Sequence, residues 1–182
     1  MRRIITLVLV FISLGVFVLW KSKNPDHVKD SFADNLHTQF AFEDIEKVHR
    51  VFMVDREGNQ ALLERNQDLD WTYTNKVTGK KYRANPSGIF MLLETIRKVR
   101  TREPVAKPAL GTSVKSLAVK STKVEIYDKN KNKLRVYYVG AMTSGGTGNL
   151  IIMEGANKPY VGYIENFQGT IYQNYTIPEL SG

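Results

Sequence analysis

Lys123-Val124-Glu125-Ile126-Tyr127-Asp128, followed by Lys129-Asn130-Lys131-Asn132 and Leu134-Arg135-Val136-Tyr137-Tyr138-Val139, decides the fold class. In the first segment Val124 and Ile126 alternate with charged neighbours, the period of a strand with one buried face. The asparagine-rich segment breaks that period. The third segment returns with branched and aromatic residues, so the whole reads as a β-hairpin. Toward the C-terminus, Asn149 to Glu154 is an apolar run, Gly155-Ala156-Asn157-Lys158 turns the chain, and Tyr160 to Ile164 pairs back.

Toward the N-terminus the same signs recur. Val48 to Asp55 and Gln60 to Arg65 flank an Arg56-Glu57-Gly58-Asn59 turn. Trp71-Thr72-Tyr73-Thr74 alternates as a third strand, Lys76 to Lys80 turns, and Tyr82 begins a short return. Asn85-Pro86 is a helix start, because Asn caps free amides and Pro is tolerated at the first helical position. Ile89, Leu92, Leu93, Ile96 and Val99 follow at helical spacing, with Glu94, Arg97, Lys98 and Arg100 opposite, and the helix is expected to end before Pro104. A shorter second helix is expected after Gly111-Thr112, with Val114, Leu117 and Ala118 facing the core. Strands, helices and strands in that order predict an α+β fold: a mainly antiparallel sheet with one or two helices packed on one face.

This domain is expected over residues 40–182, after a tail at 1–3, a transmembrane anchor at 4–20 and a linker at 21–39. Ile4 to Trp20 contains no charge, and roughly 17 helical residues span about 26 Å, slightly under the hydrocarbon thickness. Arg3 and Lys21 extend that reach by snorkelling, and Trp20 suits the interface. A cleaved signal peptide is the rival, with Ser13-Leu14-Gly15 as its cleavage region; it would leave Val16 to Trp20 at the start of a soluble protein. The intact anchor is therefore the expectation, with membrane lipid as its partner and the short tail in the cytoplasm. Residues 21–39 are polar, contain Pro25 and show no apolar periodicity.

The net charge of +8 dissolves on inspection as a nucleic-acid signal. Arg2, Arg3, Lys21 and Lys23 flank the anchor, leaving 22 basic against 18 acidic residues over 24–182. Nucleic acid is not the expected partner. The chain has no cysteine, which excludes disulfides, thiol nucleophiles, cysteine zinc sites and a lipidated cysteine.

No reaction is legible. Ser144-Gly145-Gly146-Thr147-Gly148 has the glycines of a phosphate loop, but no Gly-Lys-Ser/Thr follows and the next segment is a strand, so a hairpin connection is expected. His27 and His37 lie in the linker, His49 lies in a strand, and no Gly-x-Ser-x-Gly elbow occurs. Glu43-Asp44-Glu46 and Asp68-Leu69-Asp70 lack the ligand count of a calcium loop. No catalytic residue, cofactor or metal is assigned. Tyr127, Tyr137, Tyr138, Tyr160, Tyr163, Phe167, Tyr172 and Tyr175 make the C-terminal half aromatic, as a contact surface or as half-buried strand residues.

Taken in order, several segments resemble a family. They are Phe40-Ala41-Phe42-Glu43-Asp44, Lys47-Val48, Phe52 to Asn59, Leu92 to Ile96, Val124 to Asp128, Tyr138-Val139-Gly140, Met153-Glu154-Gly155 and Lys158 to Val161. Together, over roughly residues 40–175, they look like the Bacteroidota envelope domain of unknown function, similar to a domain in the auxiliary subunit of gliding-motility ABC transporters. The resemblance implies a bacterial inner-membrane protein, single-pass, with its domain in the periplasm, and names no catalytic residue. The resulting expectation is a non-enzymatic envelope binding or scaffold module, accessory to a transporter, secretion or motility complex; the alternative is a glycan- or peptide-binding receptor or enzyme. Ser144, Gly145, Gly146, Tyr163, Phe167 and Tyr172 are the expected contacts with a partner in an envelope protein complex.

Overall fold

A computed structural model describes residues 40–67, 70–167 and 169–177. The expected anchor and linker lie outside these, and among the described residues no helix is long and apolar enough to cross a membrane. The strands are β1 (Arg50–Val54), β2 (Gln60–Arg65), β3 (Trp71–Asn75), β4 (Lys81–Arg83), β5 (Arg100–Pro104), β6 (Thr122–Tyr127), β7 (Lys133–Met142), β8 (Asn149–Met153) and β9 (Tyr160–Tyr163). Helix α1 spans Pro86–Lys98 and α2 Lys107–Lys120, and 3-10 turns occupy Ile45–Lys47 and Ile171–Tyr175. The fold is α+β, and all strand pairings are antiparallel in one sheet of order β4-β3-β2-β1-β6-β7-β8-β9-β5.

Two meanders, β1 to β4 and β6 to β9, run outward from a seam where β1 pairs with β6. Each opens with a hairpin built on the same device. Asp55 Oδ1 accepts the amides of Glu57 and Asn59, both at 2.9 Å. Asp128 Oδ1 likewise accepts those of Asn130 and Asn132, both at 2.8 Å. These bonds add to main-chain turn bonds, Gly58 N to Asp55 O at 3.2 Å and Lys131 N to Asp128 O at 3.1 Å, and together they fix the register beyond the turn.

The core lies on one face. Val51 and Met53 of β1, Leu63 of β2, Val124 and Ile126 of β6, and Tyr137 and Val139 of β7 meet Ile89, Leu92 and Ile96 of α1 there. Asn85 caps α1 by accepting the amides of Ser87 and Gly88. Leu93, expected among the core residues, is only half-buried at the margin of this cluster.

Helix α1 ends at Lys98, before Pro104 as expected, but Arg100, read as part of its outer face, begins strand β5 instead. Arg-Thr-Arg-Glu-Pro has no apolar alternation because β5 is an edge strand, held by pairing with β9. Helix α2 begins at Lys107, four residues before Gly111. Its expected core stripe is corrected: Leu117 is buried, whereas Val114 and Ala118 are exposed. Leu117 packs beside Leu150 and Gly140, where a Cβ added to the glycine would come within 2.9 Å of Leu117 Cδ2. Leu150 and Gly140 alternate with core residues Ile151 and Val139, so α1 covers the core face and α2 part of the reverse face.

The C-terminal 3-10 turn opens at Thr170, whose hydroxyl accepts the amide of Tyr172 at 3.2 Å. Ile171, Tyr175 and Ile177 are buried in the main core, and Asn174 Nδ2 donates to Thr95 Oγ1 of α1 at 2.8 Å.

Candidate functional site

A cleft of about 700 Å³ opens at the β9 end of the sheet, lined by residues from four segments. They are Arg102 of β5, Gly146-Thr147-Gly148 of the β7–β8 loop, Gly162 and Tyr163 of β9, and the segment after it through Ile164 to Phe167, Gly169 and Ile171. Its volume is within the range of small-molecule and peptide sites.

The loop requires glycine where it meets the strand. A Cβ on Gly148 would lie 2.4 Å from Gly162 O, and a Cβ on Gly162 would lie 2.9 Å from Ile151 Cγ2. Main chain therefore meets main chain at the base of the cleft, with no side chain between. On the far lip Asn166 adopts φ 59, a left-handed conformation that Asn tolerates better than most residues. The Phe167 ring, 37% exposed, lies over Gly169.

Arg102 sits where the β5–β9 register breaks, between Thr101 and Pro104. Bulges re-aim side chains, and here the guanidinium carbon lies 4.3 Å from the Tyr163 ring centroid. No carboxylate among the described residues pairs with Arg102 or neutralises it, and Glu165 on the neighbouring loop likewise has no described ion-pair partner. The cleft thus presents one cation and one anion.

Asn149 holds this frame from below. It is fully buried; its Nδ2 donates to Gly140 O at 3.0 Å, and its Oδ1 accepts from Ile171 N and Thr170 Oγ1, each at 3.0 Å. One side chain thereby ties β7, the start of β8 and the far end of the 164–170 loop. The turn bonds Thr143 N to Gly148 O, 2.8 Å, and Gly146 N to Thr143 O, 2.9 Å, shape the upper lip.

Of the expected contact residues, the structure gathers Gly146, Tyr163 and Phe167 in the cleft lining. Ser144 and Gly145 are exposed in the same loop outside the lining, and Tyr172 is half-buried against the core. The aromatic surface is smaller than the tyrosine count implied, since Tyr137, Tyr160 and Tyr175 are core residues. Arg102, Glu165 and Asn149 escape sequence reasoning: Arg102 lies in a segment without strand periodicity, and nothing local marks an asparagine that bonds across the fold.

A second polar cluster occupies the reverse face. Glu125, 7% exposed, pairs with Lys123 Nζ at 2.7 Å and accepts a short hydrogen bond from Tyr127. Burial alone would raise the Glu125 carboxyl, but Lys123 and Tyr127 outweigh it and hold it below the ordinary range. Burial, then the bond to Glu125, pushes Tyr127 up to about 12. These groups satisfy one another.

The acidic segment at the domain start is not a joint site. Asp44 pairs with Lys47, Glu46 with Arg65 and Glu43 with Arg100, three separate directions. Among the described residues no group of three or more His, Asp or Glu side chains converges on a metal position.

The geometry defines an α+β domain with a loop-framed cleft at one end of an antiparallel sheet. No family model, curated protein or solved structure matches the chain.

Proposed function

We propose that the chain is a non-enzymatic, membrane-tethered binding module of the bacterial envelope, anchored through residues 4–20 with its domain in the periplasm, and related to the Bacteroidota envelope domain it resembles. The observation that carries the binding reading is the cleft, which brings Gly146, Tyr163 and Phe167 together beside Arg102 and Glu165. Concave sites with a few convergent polar groups receive ligands, whereas a scaffold usually offers a flatter patch. The concavity favours recognition of a segment seated in the cleft, as part of a transporter, secretion or motility complex.

The anchor and linker supply the rest of the reading. A polar linker of roughly 20 residues reaches about 25 Å, so the domain samples the zone just above the bilayer. Tethering of that kind gives effective concentrations in roughly the millimolar range, and weak contacts then suffice.

Two measurements test this. Alkaline carbonate extraction is expected to leave the chain in the membrane pellet; a soluble product beginning near Val16 would replace the anchor with a cleaved signal peptide. Phe167→Ser is expected to lose a partner that co-purifies from solubilised membranes while the domain remains folded, and Tyr172→Ser, outside the cleft, is expected to lose less. Turnover of a glycan or peptide substrate, abolished by changing one polar cleft residue, would establish the enzyme alternative instead.

A further inference from the structure

We propose that the ligand of the cleft is a peptide segment held by a carboxylate, with Arg102 as the anchoring residue. This assignment rests on the binding-module reading and names the chemistry of what binds.

The argument begins with Arg102. Its guanidinium lies over the Tyr163 ring at 4.3 Å, and no described carboxylate neutralises it. A cation–ring contact uses none of the guanidinium's hydrogen bonds, and no described acceptor pairs with Arg102, so its N–H fork, whose geometry matches a carboxylate, is left for a ligand. Its place at the break in the β5–β9 register, between Thr101 and Pro104, turns it over the ring and into the cleft lining.

Glu165 narrows the choice. A bare polyanion entering the cleft meets its negative charge, whereas a peptide brings amide N–H donors that a carboxylate accepts. The walls agree with a peptide. Gly146, Gly148, Gly162 and Gly169 bring main chain close to the cleft, and Phe167 supplies an exposed apolar ring for a side chain. The carboxylate is either the C-terminus of a chain or an Asp or Glu side chain, and the two are separable by experiment.

The test uses the full-length chain in detergent micelles and a fluorescein-labelled hexapeptide of alternating alanine and leucine, read by anisotropy. Its forms are the free C-terminal carboxylate, the C-terminal amide, and the amide with one internal glutamate. At least one carboxylate form is expected to bind roughly tenfold or more tightly than the plain amide, as loss of a charge-assisted bidentate pair implies. Preference for the free terminus identifies C-terminal capture, and preference for the internal glutamate identifies side-chain recognition.

Arg102→Gln is expected to abolish the preference with an unchanged melting temperature, and Arg102→Lys to retain part of it. If Arg102→Gln unfolds the domain, Arg102→Lys, which keeps the charge but not the fork, takes its place, and an undiminished preference in that variant overturns the assignment. Equal binding of all forms, binding of none, a preference that survives Arg102→Gln in a folded protein, or tighter binding of inorganic phosphate or polygalacturonate overturns the assignment. Loss of a co-purifying partner in Phe167→Ser without any carboxylate preference overturns the ligand class and leaves the binding-module reading intact; absence of both overturns both.

Discussion

The side-chain oxygen of Asn149 accepts the main-chain amide of Ile171 at 3.0 Å, across 22 positions of sequence. The same oxygen takes Thr170 Oγ1, and the Nδ2 group reaches Gly140 O, so the buried amide serves three partners at once. Removing it strands a buried carbonyl and a buried N–H that have no solvent to turn to. Asn149→Ala is expected to cost about 2–4 kcal/mol in urea unfolding. Asn149→Asp is expected to be destabilising too, because a carboxylate has no donor for Gly140 O and its charge would be buried. A loss of stability below about half a kcal/mol in Asn149→Ala would show that the three segments stand without this clamp.

Adjacent leucines of α1 separate core from margin. Leu92 is fully buried and Leu93 half-buried. Leu92→Ala is expected to cost about 2–5 kcal/mol, the range for a buried leucine truncated to alanine. Leu93→Ala is expected to cost about half of that or less, since part of its surface already meets water. Chemical denaturation of the two variants side by side checks the order; a larger loss at Leu93 would reverse the assignment of the helix face.

The hairpins and α1 are legible in the sequence because their signals are local: alternation, turn residues and an Asn-Pro start within a few positions of each other. The segments that are not legible have causes that are not local. β5 is a strand because β9 offers a partner, and its charged residues suit an edge rather than a buried ladder. The Ile171–Tyr175 turn has a local cap in Thr170, but its place in the fold is set by Asn149 and by Asn174 bonding to Thr95, contacts between residues far apart in sequence. At the cleft, the glycine loop and Phe167 are visible as exposed contact material. Arg102 is not, because its role comes from a break in strand register that only the paired strands reveal.

Tyr137 and Tyr175 touch through their hydroxyl groups at 3.0 Å inside the core. Burial raises both phenols above their ordinary value of 10.0. Below about pH 10 both are protonated in the folded and unfolded chain, so they add no pH dependence. Above it the unfolded chain releases these protons while the folded chain keeps them, and stability falls as pH rises. The slope from each is expected to approach about 1.4 kcal/mol per pH unit. Unfolding free energies measured between pH 9 and 11 check this. A Tyr137→Phe, Tyr175→Phe double variant is expected to show a shallower decline, and an identical slope would mean that neither phenol is protected.

The two matched hairpins differ at one backbone position, and the difference is testable without touching the core. In the first, Gly58 adopts φ 83; in the second, Lys131 stands at the corresponding place with φ 67. Both turns are otherwise closed alike: Asn59 Nδ2 donates to Asp55 Oδ2 at 2.8 Å, and Asn132 Nδ2 donates to Asp128 Oδ2 at 2.9 Å. A left-handed conformation costs an L-residue with a Cβ roughly 1 kcal/mol and costs glycine almost nothing. Glycine also loses more chain entropy on folding, which takes back part of the gain. Lys131→Gly is therefore expected to stabilise the domain by a few tenths to about 1 kcal/mol. Gly58→Lys is expected to destabilise it by a similar amount, since a Cβ there meets no atom within 4 Å and only the backbone conformation opposes it. Thermal unfolding of both single variants decides the matter. If Lys131→Gly lowers the melting temperature, the lysine side chain contributes more than its backbone strain costs, and the two turns are alike in hydrogen bonding only.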